Sequence, residues 1–62
     1  MKFEEALLLL RKGKKVRCTW WIQNSYIFIR HGHLMYMSSL NEEGFIQISG
    51  YDKINGDWEV LE

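Results

Sequence analysis

The hydrophobic period of the chain changes from helical to strand-like at Gly13, and this change constrains the fold more than any other feature. Before it, apolar side chains recur at the spacing of one helix face, at Phe3, Ala6, Leu7 and Leu10. Two glutamates precede most of this run and two basic residues follow it, which suits the helix dipole. The pattern predicts a helix over residues 3–12 that ends at Gly13 in the left-handed conformation.

Beyond that glycine the period is two, as in a β-strand. The segment KKVRCTWW places Val16, Cys18 and Trp20 on one face, and Arg17 and Trp21 on the other. Adjacent strand residues point to opposite faces, so only one of the two indoles can fill the core. We expect Trp20 in the core or in a contact between subunits, and Trp21 on the opposite face.

Two segments in the middle of the chain predict a β-hairpin. YIFIR and HLMYM have the composition of strands, and the dipeptide His31–Gly32 between them suits a tight turn. We therefore expect Tyr26–Arg30 to pair with His33–Met37. Both faces of the first strand are apolar, which is typical of a strand covered on both sides. Before the hairpin, the residues IQNS predict a turn.

The second half of the chain predicts a loop, two short strands and a turn. SSLNEEG is polar and loop-like, and the alternation in FIQIS predicts a strand over Phe45–Ser49. GYDKING predicts a turn or one helical turn, and DWEVLE predicts a terminal strand with Trp58 and Val60 on one face. This order of elements predicts an α+β fold in a single domain, residues 1–62. An N-terminal helix would pack on a small antiparallel sheet of four or five short strands.

The apolar content is high for a chain of this length. A domain of 62 residues buries only about 60% of the surface that its unfolded chain exposes. Yet 47% of the residues are apolar and 15% are aromatic. Either the core is unusually aromatic, or another copy of the chain covers part of the apolar surface.

The charge balance and the cysteine count exclude several classes of protein. Eight basic and eight acidic residues give a net charge of zero, so the basic surface of a duplex-binding or membrane-surface protein is not expected. No apolar run approaches the length of a membrane span, and the N-terminus lacks the pattern of a signal peptide. The single cysteine gives no sign of secretion. We therefore expect a cytoplasmic protein.

Both ends of the chain resemble a known family. KFEEALLLLRKGKKVR, a tryptophan five residues after KKV, and the closing DWEV are similar to the Thoeris anti-defence proteins of the second type. Members of this family have a Gly-Trp-Asn-Gly-like motif after the first strand, and Trp21 matches its tryptophan. Trp20 replaces the first glycine of that motif and Ile22 the asparagine. The resemblance covers about half of the chain, and the middle is shorter than in typical members.

This resemblance implies a function and a mode of assembly. The family consists of small phage proteins that bind nucleotide-derived immune signals without cleaving them. It implies a homo-oligomer, a dimer or a tetramer, with ligand pockets between subunits in the cytoplasm of an infected host cell. The ligand would be a glycocyclic ADP-ribose isomer, or a cyclic dinucleotide such as those of CBASS defence. No cofactor is implied.

Four residues around the predicted turn are candidates to hold the base of such a ligand. Trp21 can stack on a base, and Tyr26, Tyr36 and Tyr51 are alternative stacking partners among which the sequence does not choose. Gln23 and Asn24 carry carboxamides that can donate and accept hydrogen bonds at a base edge. The alternative for Trp21 is a place in the core, and for Gln23 and Asn24 a purely conformational role in the turn.

Three charged residues are candidates for the rest of the ligand. Arg17 and Arg30 have the guanidinium geometry that suits a phosphate group, and the alternative is a solvated strand face. The resemblance brings in Asp57, from the closing DWEV, as an acceptor for ribose hydroxyls; the alternative is that Asp57 caps a turn.

Catalysis and metal binding are not expected. The chain has no glycine-rich phosphate loop, and Cys18 lies on the predicted buried face, where a thiol is inert. His31 and His33 are two ligands where a metal site usually has three or four. Besides binding an immune signal without cleaving it, two other functions stay open. One is a small adaptor domain that acts through protein contacts. The other is a single-stranded nucleic-acid binder, against which the net charge of zero argues.

Overall fold

One antiparallel sheet of five strands carries two helices in the computed structural model, which describes residues 1–61. The helices are α1 (Phe3–Arg11) and α2 (Gly50–Asn55), and the strands are β1 (Lys15–Cys18), β2 (Tyr26–Arg30), β3 (His33–Met37), β4 (Glu43–Phe45) and β5 (Trp58–Leu61). The strands lie in the order β4-β3-β2-β1-β5, so the terminal strand pairs with the first one. The predicted α+β fold, with its N-terminal helix and small antiparallel sheet, is confirmed.

Helix α1 follows from the amphipathic spacing of its apolar residues. Ala6 and Leu10 are fully buried against the sheet, while Phe3 and Leu7 of the same stripe are half-buried. The helix ends one residue earlier than predicted, and Gly13 then adopts a positive φ of 88°. Glycine populates this left-handed region without the steric penalty of a side chain, which explains its place after the helix.

The core lies between α1 and one face of the sheet. Val16 is paired with Ile27 across β1 and β2, and Cys18 with Trp58 across β1 and β5. Directly paired residues share a face, and all four are at most 1% exposed. The ring of Phe3 packs on Trp58 with centroids 5.1 Å apart. The central and terminal strands therefore meet α1 through one shared cluster of side chains.

The predicted hairpin is confirmed with its register. Tyr26 pairs with Met37 and Arg30 with His33. His31 and Gly32 have φ values of 52° and 78°, and positive φ at both central residues is the requirement of a type I′ turn.

The strand predicted over Phe45–Ser49 is wrong except at its first residue. β4 occupies Glu43–Phe45 instead, so it begins inside the segment expected to be a loop, and residues 46–49 have no regular structure. The chain leaves the sheet here because Ile48 turns into the core and Ser49 caps α2, its hydroxyl accepting a hydrogen bond from the amide of Asp52. The predicted helical turn in GYDKING is confirmed as α2.

The prediction for the paired tryptophans is also wrong in part. β1 ends at Cys18, and the amide of Trp21 donates to the carbonyl of Cys18 in a tight turn. The alternation of faces that places Val16 and Cys18 correctly therefore does not extend to the indoles. Trp20 is 51% exposed and therefore outside the core, while its other predicted place, a contact between subunits, stays a prediction; Trp21 is half-buried against the core.

Neither helix of residues 1–61 has the length and apolar character needed to cross a membrane.

Candidate functional site

The loop that follows β1 forms one wall of an open cleft on the helix-bearing side of the sheet. We call it the tryptophan cleft; its volume is about 460 Å³ and its walls are Trp20, Trp21, Ile22, Tyr36, Ile46, Gln47, Ile48, Ser49 and Asp52. The other wall is residues 46–49 and the start of α2. The irregular segment that replaces the predicted strand is therefore what shapes this cleft.

Trp20 stands at the rim of the tryptophan cleft and is held in place by α2. Its indole nitrogen donates a hydrogen bond of 2.9 Å to Oδ1 of Asp52. The ring of Tyr51 packs beside it, with centroids 5.7 Å apart and planes inclined by 33°. Half of the surface of Trp20 is exposed, and its contacts with Asp52 and Tyr51 hold the indole in one orientation.

Trp21 contributes the deeper part of the same wall. Its ring meets Trp58 edge to face at 5.2 Å between centroids and Tyr36 at 6.1 Å. These two contacts tie it to the core. The sequence predicts Trp21 alone as the stacking residue, and Trp21 does line this cleft, but Trp20 lines it too and has the more exposed ring.

Arg17 lies on the other face of the sheet, where its guanidinium is occupied by the chain itself. It donates to the carbonyl oxygens of Trp21 at 2.7 Å and Ser25 at 3.3 Å, and to a carboxylate oxygen of Glu59 at 2.6 Å. Its side chain is only 11% exposed. In this conformation Arg17 holds the loop that carries the tryptophans and has little surface left for a phosphate.

Gln23 and Asn24 lie outside the tryptophan cleft. With Arg17, Glu59 and Leu61 they line a separate pocket of about 210 Å³. Asn24 has a φ of 71°, a left-handed conformation that asparagine tolerates better than most residues, so its place in the turn has a conformational cause.

Tyr26 and Arg30 lie on the sheet face that carries no helix. The ammonium of Lys15 sits 5.0 Å above the Tyr26 ring. Arg30 makes two hydrogen bonds to the Glu43 carboxylate, at 2.5 and 2.8 Å. This pairing raises the pKa of Arg30 and lowers the pKa of Glu43, with hydrogen bonding as the main cause in both.

Asp57 lies apart from all of these residues. Its carboxylate accepts a hydrogen bond of 3.0 Å from the terminal ammonium of Met1, which also donates to the carbonyl of Trp58 at 2.8 Å. The seven candidates from the sequence therefore do not form one site. Trp21 lines the tryptophan cleft, Arg17, Gln23 and Asn24 line a second pocket, and Tyr26, Arg30 and Asp57 lie elsewhere.

The polar half of the tryptophan cleft is not predicted from the sequence. Gln47, Ser49 and Asp52 face it, and among residues 1–61 Asp52 is the only charged residue in its walls. One local signal was available: Ser49 and Asp52 have the spacing of a helix cap and its third residue, which marks the start of α2. No comparable signal places Gln47.

The described residues show no arrangement for metal binding, since no three His, Cys, Asp or Glu side chains cluster within residues 1–61. Cys18 is fully buried in the core, and His31 and His33 lie in and beside the exposed hairpin turn.

Comparison with known proteins adds no assignment: no protein-family model matches the chain, and no curated protein matches its sequence.

Proposed function

We propose that this protein binds a cyclic nucleotide immune signal and withholds it from its effector without cleaving it. The signal is a glycocyclic ADP-ribose isomer or a cyclic dinucleotide, bound by a homo-oligomer in the cytoplasm of an infected cell. The observation that carries the proposal is the oriented, half-exposed indole of Trp20 at the rim of an apolar cleft. Stacking of one base on such a ring contributes roughly 1–3 kcal/mol.

The size and charge of the tryptophan cleft indicate which part of the ligand enters it. A volume of about 460 Å³ falls at the small end of ligand pockets and suits one nucleoside. The walls contain the Asp52 carboxylate and no basic residue, so they repel a phosphate and favour a base or a ribose. Gln47 supplies a carboxamide that can donate to and accept from a base edge.

A ligand with two phosphates therefore needs cations from outside this cleft. A second copy of the chain that faces the open side of the cleft would supply these cations. The proposed function requires a homo-oligomer for this reason. Binding without turnover needs only such contacts, since a sequestering protein acts by lowering the free concentration of its ligand.

The family resemblance supports the same proposal. Its two segments, residues 2–17 and 57–60, form α1 and most of β1 and β5, and these elements are neighbours in the structure. Trp58 of the closing motif contacts Phe3 at the start of the opening one. The residues that carry the resemblance thus build one continuous part of the fold, with Trp21 packed against it.

Calorimetry with a panel of glycocyclic ADP-ribose isomers and cyclic dinucleotides tests the proposal. We expect one class to bind, intact ligand to be recovered after denaturation, and Trp20→Ala to weaken binding at least tenfold. Leu40→Ala, at an exposed site outside the cleft, is the matched control and should bind normally. No binding by any ligand, a hydrolysed product, or undiminished binding by Trp20→Ala would each refute the proposal.

A second candidate function is a small adaptor domain that acts through protein contacts. The observation that favours it is the sheet face without helices, which carries Phe28, Met35 and Phe45. Co-purification of a phage or host protein, lost in Phe45→Lys, together with nucleotide-free protein, would favour this function over sequestration.

A further inference from the structure

The two faces of the sheet differ in what covers them. Helix α1 and the buried Ile48 pack on the face of Val16 and Ile27, and α2 contacts the same side through the hydrogen bond from Trp58 to the carbonyl of Asp52. In residues 1–61 no helix lies on the opposite face. We call that face the open sheet face; its residues, from strand alternation and register, are Lys15, Arg17, Tyr26, Phe28, Arg30, His33, Met35, Met37, Glu43, Phe45, Glu59 and Leu61.

The centre of the open sheet face is apolar. Phe28 pairs with Met35, and Met35 pairs with Phe45, so the three side chains form one row across β2, β3 and β4. Tyr26 and Met37 form the next row beside them. Phe45 is 78% exposed. A solvated face of an antiparallel sheet is ordinarily polar, so this row requires an explanation.

The open sheet face carries three cations, Lys15, Arg17 and Arg30, and two carboxylates, Glu43 and Glu59, and the Arg30 guanidinium lies 5.0 Å from the centre of the Phe28 ring. Arg30 is paired with Glu43, and Arg17 with Glu59, each through hydrogen bonds within the chain. An apolar centre rich in aromatic residues and methionine, with arginine and a charged rim, is the composition of protein–protein interfaces. The sequence predicts that β2 is covered on both faces. Within residues 1–61 the chain covers only the face of Ile27 with a helix.

We propose that the open sheet face is the contact between two copies of this chain, packed face to face about a two-fold axis. The paired charges argue for this occupant. A nucleic acid or an anionic membrane requires several unpaired cations, whereas both arginines here are paired with carboxylates and a second copy brings the same nearly balanced set of charges. In an isologous contact, a cationic part of one rim can meet an anionic part of the other.

The size of the face is compatible with a stable pair. The chain measures 26 × 23 × 22 Å along its principal axes, so one face covers at most about 600 Å² per copy. Two such faces give at most about 1,200 Å², which is the lower limit of specific interfaces. The net charge of zero adds no repulsion between copies. We therefore expect a pair that forms at micromolar concentration.

The face-to-face contact would be one interface of the homo-oligomer that the proposed function requires. The observations that support this contact do not involve the ligand. The tryptophan cleft lies on the helix-bearing side, so both clefts of a face-to-face pair stay open. A further copy that faces each tryptophan cleft must therefore bind through a second interface, on the helix-bearing side. The smallest closed assembly with both contacts is a tetramer.

Sedimentation velocity of the nucleotide-free chain tests this inference. We expect the wild type to sediment as a dimer or a tetramer, and Phe45→Lys and Met35→Lys to sediment at half that mass or less. Ile54→Lys is the matched control, because Ile54 on α2 is 83% exposed and lies off the open sheet face. It should keep the wild-type mass. Circular dichroism checks that each variant is folded, and the exposed site of Phe45 makes its variant the decisive one.

Two results would overturn the inference: a wild type that stays monomeric at high micromolar concentration, or a folded Phe45→Lys that keeps the wild-type mass. Neither depends on nucleotide binding, which is measured separately by calorimetry. A dimer that breaks in Phe45→Lys but binds no nucleotide would keep this inference and remove the proposed function. Nucleotide binding by a protein whose mass does not change in Phe45→Lys would overturn this inference and keep the proposed function.

Discussion

The indole nitrogen of Trp20 donates a hydrogen bond of 2.9 Å to Oδ1 of Asp52, 32 residues further along the chain. This bond joins the loop after β1 to α2, the two walls of the tryptophan cleft. It is exposed to solvent, so its contribution to the stability of the fold is small. Its consequence is geometric, because it fixes the plane of the one indole that is free to stack.

Replacing Asp52 should therefore affect binding more than stability. In Asp52→Ala we expect nucleotide affinity to fall about fivefold, the equivalent of about 1 kcal/mol for one net hydrogen bond. Acrylamide should quench the tryptophan emission more strongly, since Trp20 loses its anchor. Asp57→Ala removes another exposed carboxylate and is the control. Equal affinity in wild type and Asp52→Ala would show that the indole needs no anchor.

The two tryptophans should separate binding from stability. Trp20→Ala removes an exposed ring, so we expect nucleotide binding to weaken at least about tenfold and the free energy of unfolding to fall by less than about 1 kcal/mol. Trp21→Ala removes a ring packed on Trp58 and Tyr36, so its free energy of unfolding should be about 2 kcal/mol lower than that of the wild type. Urea denaturation measures both. If Trp20→Ala were the more destabilised variant, the assignment of exposed and packed rings would be wrong.

The elements that the sequence predicts correctly are those with local causes. Gly13 ends α1 because the left-handed conformation suits glycine, and His31–Gly32 forms the hairpin turn for the same reason. The indole positions have a non-local cause. The amide of Thr19 donates to the carbonyl of Asp57 at 2.8 Å, and the chain turns immediately afterwards. Alternation within KKVRCTWW contains no information about where that turn falls.

The tryptophan cleft escaped prediction for the same reason. Its far wall depends on Ile48 leaving the sheet for the core, although FIQIS alternates as a strand does. Strand propensity describes how residues fit a pleated surface and does not decide whether a partner strand is present. The candidates chosen by residue type were therefore scattered over both faces of the sheet.

Arg17 should act as a support of the tryptophan loop. Arg17→Met leaves the carbonyls of Trp21 and Ser25 without this donor, and we expect a loss of about 2 kcal/mol in unfolding free energy. Arg17→Lys should recover only part of it, because an ammonium cannot reproduce the guanidinium fork. Arg30→Met, at a more exposed arginine, is the control and should lose less. If Arg17 instead grips phosphate, Arg17→Met would lower affinity and leave stability unchanged.

Gly56 is a position where the fold leaves no room for a side chain. A Cβ there would lie 2.9 Å from Sγ of Cys18 and 3.0 Å from Nε1 of Trp58, and would collide with the carbonyl of Asp52. Gly56→Ala should lower the unfolding free energy by about 1–3 kcal/mol through overpacking. Gly50→Ala, where a Cβ meets open space, is the control. Thermal unfolding of the two variants compares them directly, and equal midpoints would contradict the packing described around Trp58.

The Arg30–Glu43 pair should make stability depend on pH in the acidic range. Hydrogen bonding to Arg30 lowers the pKa of Glu43 in the folded chain below its value in the unfolded chain. The pair therefore stabilises the fold above the unfolded pKa, and this contribution is lost as the pH falls through the folded pKa. In Glu43→Gln we expect lower stability at neutral pH and a difference from wild type that disappears in acid. Urea denaturation over a pH series, with the neighbouring Glu42→Gln as control, measures the effect. A difference that grew on acidification would contradict the lowered pKa, and high salt should weaken the effect at neutral pH because the pair is exposed.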